Sequence, residues 1–318
     1  MLTQSYELSS YHTYSANDKT TIDLPEEGYI TRLDCLLTLN ITAGTSVSAE
    51  EDFLARIIKS CRIKAAGARN FFDISDGRVW YWWNYFKQEG QVQFDSAPDA
   101  NTAAADYYAL FTIHWGYNWR DPFDTTVVIP AVNLSNLQME LEWGAATDLG
   151  SGFTVNSGTM KITVYEVTLE PGETEQKIWP AGLINPRFDH RQKTPTSTYS
   201  NLGFRDEVPT GDVLYETLVM ILDSSDDRTD SDITEIGVDF PKQRRTPISW
   251  NWRLRKARSR AHYRVPSDVT GVTLFPWSDV SGREAGIDLV NAQVGDVRMG
   301  FTVATANGEI NLLHIMMT

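Results

Sequence analysis

The chain has 318 residues, 42% of them hydrophobic and 22% charged, with 10 Trp and 13 Tyr. That length and balance exclude a disordered chain and allow one large or two moderate domains. The net charge of −14 argues against nonspecific nucleic-acid binding over the whole surface.

The first residues hold no basic segment followed by an apolar one, and nowhere do eighteen apolar residues run together, so the expectation is a soluble, non-secreted protein. Strands are expected around Tyr6–Tyr14 and from Ile22 to Asn40. Leu33, Cys35, Leu37 and Leu39 alternate on one face of the latter. Ser48 and Glu51 read as a capping box, and Phe53, Leu54, Ile57, Ile58 and Cys61 recur at helical spacing, which predicts a helix over 49–61. Cys35 and Cys61 lack any CxxC or Cys/His context and read as buried free thiols.

The segment DGRVWYWWNYFKQEG, 76–90, reads as a short aromatic helix. Its Trp80, Trp82, Trp83 and Tyr85 suit buried packing, in the core or between subunits, or a platform for stacking a sugar or base. After a polar loop the chain turns to strands again. Leu137, Met139, Leu141 and Trp143 alternate with Gln138, Glu140 and Glu142, and a turn at 156–158 predicts a hairpin.

The stretch Val208–Leu222 repeats an earlier plan. Both it and Leu24–Leu39 place a proline before a glycine and then a long apolar run, and Thr13-Tyr14-Ser15 and Thr198-Tyr199-Ser200 precede them. Each copy ends in a strand, a glycine-containing turn and a final strand, with Gly158 matched to Gly308. The duplication gives a first domain at 1–170, a linker and entry strand at 171–206, and a second domain at 207–318.

Together the short strands, turn spacing and few helices predict an all-β chain: two tandem antiparallel jelly-roll sandwiches with a few short helices. The proline-and-glycine opening, the helix-bearing middle and the endings VYEV and LLHIM, with GVTLFPWSD and GIDLVNAQVGDVRMGFTVATANGEINLLHIMM in the second half, resemble the double jelly-roll major capsid proteins of tailless icosahedral viruses, of the small bacteriophage or archaeal type. The resemblance implies homotrimers of pseudo-hexagonal outline and a lattice of those trimers around the genome. It also implies minor capsid or vertex proteins as partners, an internal lipid membrane or genome DNA against the inner face, and a virion location after synthesis in the host cytoplasm.

Charge is unevenly spread. Between Phe240 and Ser267 stand Lys242, Arg244, Arg245, Arg253, Arg255, Lys256, Arg258, Arg260 and Arg264 with no acid, leaving −23 on the rest of the chain. A helix over 250–265 would put Trp250, Leu254, Ala257 and Ala261 on an apolar side and Arg253, Lys256, Arg260 and Arg264 on a cationic side, whereas a strand at its start would point Trp250, Trp252 and Leu254 one way and Arg253 and Arg255 the other. Those cations either pair within the protein or contact another subunit, anionic lipid or genome. The acidic run from Asp223 to Asp232 is either a solvated loop or a Ca²⁺ site, although it lacks the spacing of an EF-hand.

Catalytic motifs, cofactor fingerprints and metal-ligand clusters are absent from the sequence, and His12, His114, His190, His262 and His314 stand singly. Glu140 and Glu142 share a strand face, which leaves a glycosidase formally open against simple solvation. The competing non-enzymatic reading is a carbohydrate- or receptor-binding sandwich.

Overall fold

The computed structural model describes residues 1–66, 70–243, 246–282 and 286–317. Two compact units divide the chain: Met1–Asn84 with Gln91–Arg187, and Tyr85–Gly90 with Phe188–Thr318.

Eight main strands build the first unit, with the two-residue strand His12–Thr13 added beside the last of them: β1 (Leu2–Glu7), β2 (Lys19–Asp23), β3 (Tyr29–Ala49), β4 (Ile58–Lys64), β5 (Asn70–Ile74), β6 (Ala105–His114), β7 (Gln138–Trp143) and β8 (Gly150–Thr168). They form two antiparallel sheets in the orders β1-β8-β3-β6 and β2-β7-β4-β5. The second unit repeats this with β9 (Pro186–Lys193), β10 (Tyr199–Glu207), β11 (Val213–Leu222), β12 (Ile233–Asp239), β13 (Ile248–Asn251), β14 (Val272–Pro276), β15 (Arg298–Val303) and β16 (Glu309–Met317). Its sheets run β9-β16-β11-β14 and β10-β15-β12-β13, the same order with eight added to each strand number. Each unit is therefore a complete jelly roll.

The repeat seen in the sequence marks the entry to the third strand of each roll. Gly28 and Gly211 have φ of +70° and +96°, a region that favours glycine, and β3 and β11 begin just after them. Even a bulge is duplicated. The pairing of β3 with β8 slips between Ile30 and Arg32, and that of β11 with β16 slips between Leu214 and Glu216.

Alternation builds both cores. Leu33, Cys35, Leu37 and Leu39 are fully buried on β3, as are Leu141 and Trp143 on β7. Leu214, Val219, Ile221, Phe275, Trp277 and Phe301 belong to the core of the second roll. Cys35 and Cys61 are free and buried, and burial pushes both thiols up.

Three expectations are corrected. Residues 49–61 are not a helix: β3 runs to Ala49, Asp52 adopts a left-handed φ of 59°, and only a short 3-10 turn, Phe53–Ile57, precedes β4. Cys61 and Ile63 are buried at period two on β4, and pairing to β7 outweighs the helical spacing of the same apolar residues. The expected turn at 156–158 lies inside the continuous strand β8. Ser157 pairs with Asn40 and Val155 with Ile41, which leaves Asn156 as an extra residue, with its side-chain amide bonded to Asn40 and Thr42. The connection equivalent to the turn at Asn307-Gly308 is therefore the one between β7 and β8. Finally, the segment 171–206 contains β9 and most of β10, and the division between units falls after Arg187.

Candidate assembly surfaces

Each roll carries one eleven-residue helix between its fifth and sixth strands, after β5 and after β13. Helix α1 (Gly77–Lys87) is the aromatic segment, and helix α2 (Trp252–His262) is the basic one. The two stretches that stood out in the sequence thus occupy the same place in the duplicated plan.

Asp76 opens α1, accepting the backbone N–H of Arg78 at 2.8 Å and its guanidinium at 2.7 Å. Trp80 is fully buried against Phe72 and Phe111, and its indole N–H donates to the Thr112 carbonyl at 2.9 Å. Trp83 meets Trp119 edge-on, and Trp82, also buried, donates to the Asp52 carboxylate at 3.0 Å. Tyr85 is half-buried and shares a 3.0 Å hydrogen bond with Ser267. These rings are packing elements, and the three indoles present no open face for stacking a sugar or base.

Helix α2 is capped by the Asn251 side chain, which accepts from the backbone N–H of Arg253 and Leu254. Its buried face is Trp252, Arg255, Lys256 and Ser259, whereas Leu254 is 50% exposed and Ala257 and Ala261 are exposed too. The expected sides are therefore corrected in part: Arg253, Arg260 and Arg264 do face outward, but Lys256 and Arg255 point inward, and Leu254, Ala257 and Ala261 of the expected apolar side are exposed. Carboxylates supplied from elsewhere in the fold are the cause. The Lys256 ammonium bonds Asp230 at 2.5 Å and lies 3.4 Å from Asp268. Arg255 pairs with Asp279 and lies 4.7 Å over the Phe275 ring.

Asp230 is the hub of this anchor. It also accepts from the Trp252 indole at 2.8 Å and the Gly271 backbone N–H at 2.9 Å. Burial works against its charge, but the bonds from Lys256, Gly271 and Trp252 outweigh that and lower its pKa. The acidic run therefore is not a simply solvated loop. Asp223 also caps its own turn, accepting from the backbone N–H of Ser225 and Asp227, and Asp232 is buried. Among the described residues, no group of three or more His, Cys, Asp or Glu is arranged to hold a metal ion.

Of the remaining basic residues, Lys242 pairs with Asp296 at 2.6 Å, and Arg244 and Arg245 lie outside the described residues. Arg253, Arg258, Arg260 and Arg264 are exposed and make no ion pair among the described residues. A cleft of about 600 Å³ beside α2 is lined by Arg253, Ala257, Arg260, Ala261, Arg264 and Asp268, among others. The internal-pairing alternative thus accounts for Lys242, Arg255 and Lys256, and four arginines are left facing outward.

The two carboxylates considered for glycosidase chemistry are engaged on their strand. Glu140 accepts from Lys64 at 2.6 Å, which lowers its pKa, and Glu142 accepts from Ser60 at 3.0 Å. A depressed pKa is the opposite of what a general acid requires.

One surface was not singled out from the sequence. On the outward side of the β8-β3-β6 sheet, Leu36 is 38% and Tyr108 46% exposed. The mixed outer face of β3 was legible, but not its contrast with the second roll, where Glu216, Leu218, Met220, Leu313 and Ile315 on the equivalent side are all buried.

No family model and no curated protein matches this sequence. Solved structures do match. The chain has the double jelly-roll fold of the major capsid proteins of tailless icosahedral viruses. It is similar to the STIV major capsid protein at a TM-score of 0.81 and 15% identity, covering 100% of this chain and 97% of that one. The capsid of the virus PBCV-1 matches with a TM-score of 0.61 and 8% identity, over 99% of this chain and 93% of that one. The major capsid protein of bacteriophage PM2 matches with a TM-score of 0.54 and 12% identity, over 99% and 97%.

Proposed function

We propose that this chain is a major capsid protein that assembles as pseudo-hexameric homotrimers into an icosahedral shell enclosing a viral genome, and that its role is structural rather than catalytic. The observation that carries this reading is the duplication itself: two complete jelly rolls of identical strand order in one chain, in a fold shared end to end with capsid proteins. Three such chains offer six similar bodies, so a trimer can tile a near-hexagonal lattice. The packed interior of α1 and the engaged carboxylates of β7 favour this over a sugar-binding or hydrolytic sandwich.

Light scattering on the purified protein tests the reading, with an expected mass of three times the 35.9 kDa chain or a larger assembly. Negative-stain images should show particles of hexagonal outline. A monomer at all concentrations, or a glycan-binding signal from a monomer, would overturn it. Minor capsid or vertex proteins, and a membrane or genome beneath the shell, are further partners of this proposal.

A further inference from the structure

We propose that the exposed face of α2 in one copy docks on the outward face of the β8-β3-β6 sheet of a second copy. This rests on the self-assembly reading above.

The duplicated bulge fixes the correspondence between the two rolls. Arg32 follows the slip in β3 as Glu216 follows it in β11, so Asp34, Leu36 and Thr38 hold the places of Leu218, Met220 and Leu222. In the second roll those places are closed, with Leu218, Met220 and Leu222 each at 0% exposure. In the first roll Leu36 and, on the neighbouring strand, Tyr108 stand open. Two large apolar side chains on a sheet face whose counterpart is sealed are a surface for a partner.

The second roll also shows what such a face receives. The last turn of α1, which packs as part of that unit, places the Lys87 ammonium 3.0 Å from Glu216, and the Tyr263 hydroxyl donates to the same carboxylate at 2.9 Å. In α2, Arg260, Ala261 and His262 hold the positions that Tyr85, Phe86 and Lys87 hold in α1. That turn of α2 is exposed.

The open face of the first roll offers carboxylates to match. Asp106 sits near Tyr108 on β6 and Asp95 accepts the Tyr108 backbone N–H at 2.8 Å, both exposed, while Asp34 is already held by Arg32 at 2.7 Å and Lys161, opposite Leu36, by Glu7 at 3.1 Å. A strip of Leu254, Ala257 and Ala261 framed by arginines fits Leu36 and Tyr108 with Asp95 and Asp106 beside them. A second copy suits α2 better than a polyanion does, because the chain carries −14 overall and would repel one away from this face. The contact is head to tail, since donor and receiver are different surfaces, and such contacts close into a ring when the rotation between copies closes, as a trimer requires.

Disulfide trapping tests this directly. Cys35 and Cys61 are buried, so they supply no background. Y108C/R260C should give cross-linked multimers on mild oxidation, and each single variant should give none joined through these two sites. R253E/R260E/R264E, all exposed substitutions, should weaken the oligomer by on the order of 100-fold in Kd with unchanged circular dichroism. A monomeric wild type overturns the self-assembly reading and the docking with it. An oligomeric wild type overturns the docking alone if the triple variant assembles normally and Y108C/R260C yields no cross-link. Binding of wild type, but not of the triple variant, to phosphatidylglycerol vesicles or duplex DNA with assembly intact reassigns the face to a polyanion and also overturns the docking.

Discussion

Replacing Asp230 by alanine should release α2 from the second roll. The carboxylate holds a Lys256 ammonium whose side chain is only 3% exposed, together with the indole N–H of Trp252 and the backbone N–H of Gly271. Removing it strands one buried cation and two donors. Breaking a buried pair costs about 3–5 kcal/mol, and each orphaned donor adds to that. Two features moderate the sum: Asp230 is itself 30% exposed, and Asp268 remains 3.4 Å from the ammonium. The expected loss is about 3 kcal/mol, or on the order of 100-fold in the hydrogen-exchange protection of the α2 amides. Adding Lys256→Met to Asp230→Ala should recover part of it, because the stranded charge goes too. The same anchor is acid-sensitive. The folded pKa of Asp230 lies below the ordinary 3.8, so its contribution is complete above that pH and disappears as the pH falls through the lower, folded value. Protection in α2 that changes less than threefold in Asp230→Ala would refute the reasoning.

Three further outcomes are expected. His12 is buried, bonded to Thr20 at 2.7 Å, and lowered by desolvation to about 4, so the first roll should lose stability as the pH falls from 6.5 toward 4. The loss should reach about 3 kcal/mol at most, and thermal melts of His12→Gln should show a shallower acid limb; identical limbs would exclude it. Trp80→Phe removes the donor to the Thr112 carbonyl and part of a fully buried ring; urea titration should find a loss of about 2 kcal/mol, whereas Trp80→Ala should approach 4. A Cβ on Gly158 would lie 2.5 Å from Leu39 Cδ2 and 3.0 Å from Tyr14 Cβ. Gly158→Val should therefore destabilise the first roll by about 1–3 kcal/mol, while a tolerated valine would return the residue to an open turn.

Much of the fold was legible because its signals are local or repeated. Alternation on β3 and β7 named the inward faces, and the proline-glycine entries to β3 and β11 revealed the duplication. The failures share a cause. The same residues, Phe53 to Cys61, satisfy a helical period and, in part, a strand period, and only the partner strand β7 decides between them. Ser157-Gly158 has turn chemistry, but a 19-residue strand spanning it imposes extended pairing. The inward place of Lys256 and Arg255 on α2 was missed because the acids that draw them in, Asp230 and Asp279, lie more than twenty residues away on either side. Long cationic side chains can be interior when their counter-ions are, and periodicity within one helix carries no record of that.

The paired bulges have a directional effect beyond local twist. One extra residue inverts the sense of every side chain that follows, so Thr31 and Tyr215 act as phase inserts that decide whether Arg32 and Glu216 look into the sandwich or away from it. Both rolls carry the insert at the same point, yet in the first it is followed by Arg32, paired with Asp34, and in the second by Glu216, buried beneath Lys87 and Tyr263. The duplicated scaffold thus turns identical geometry into opposite polarity at one site, so the two rolls differ in chemistry where their backbones correspond.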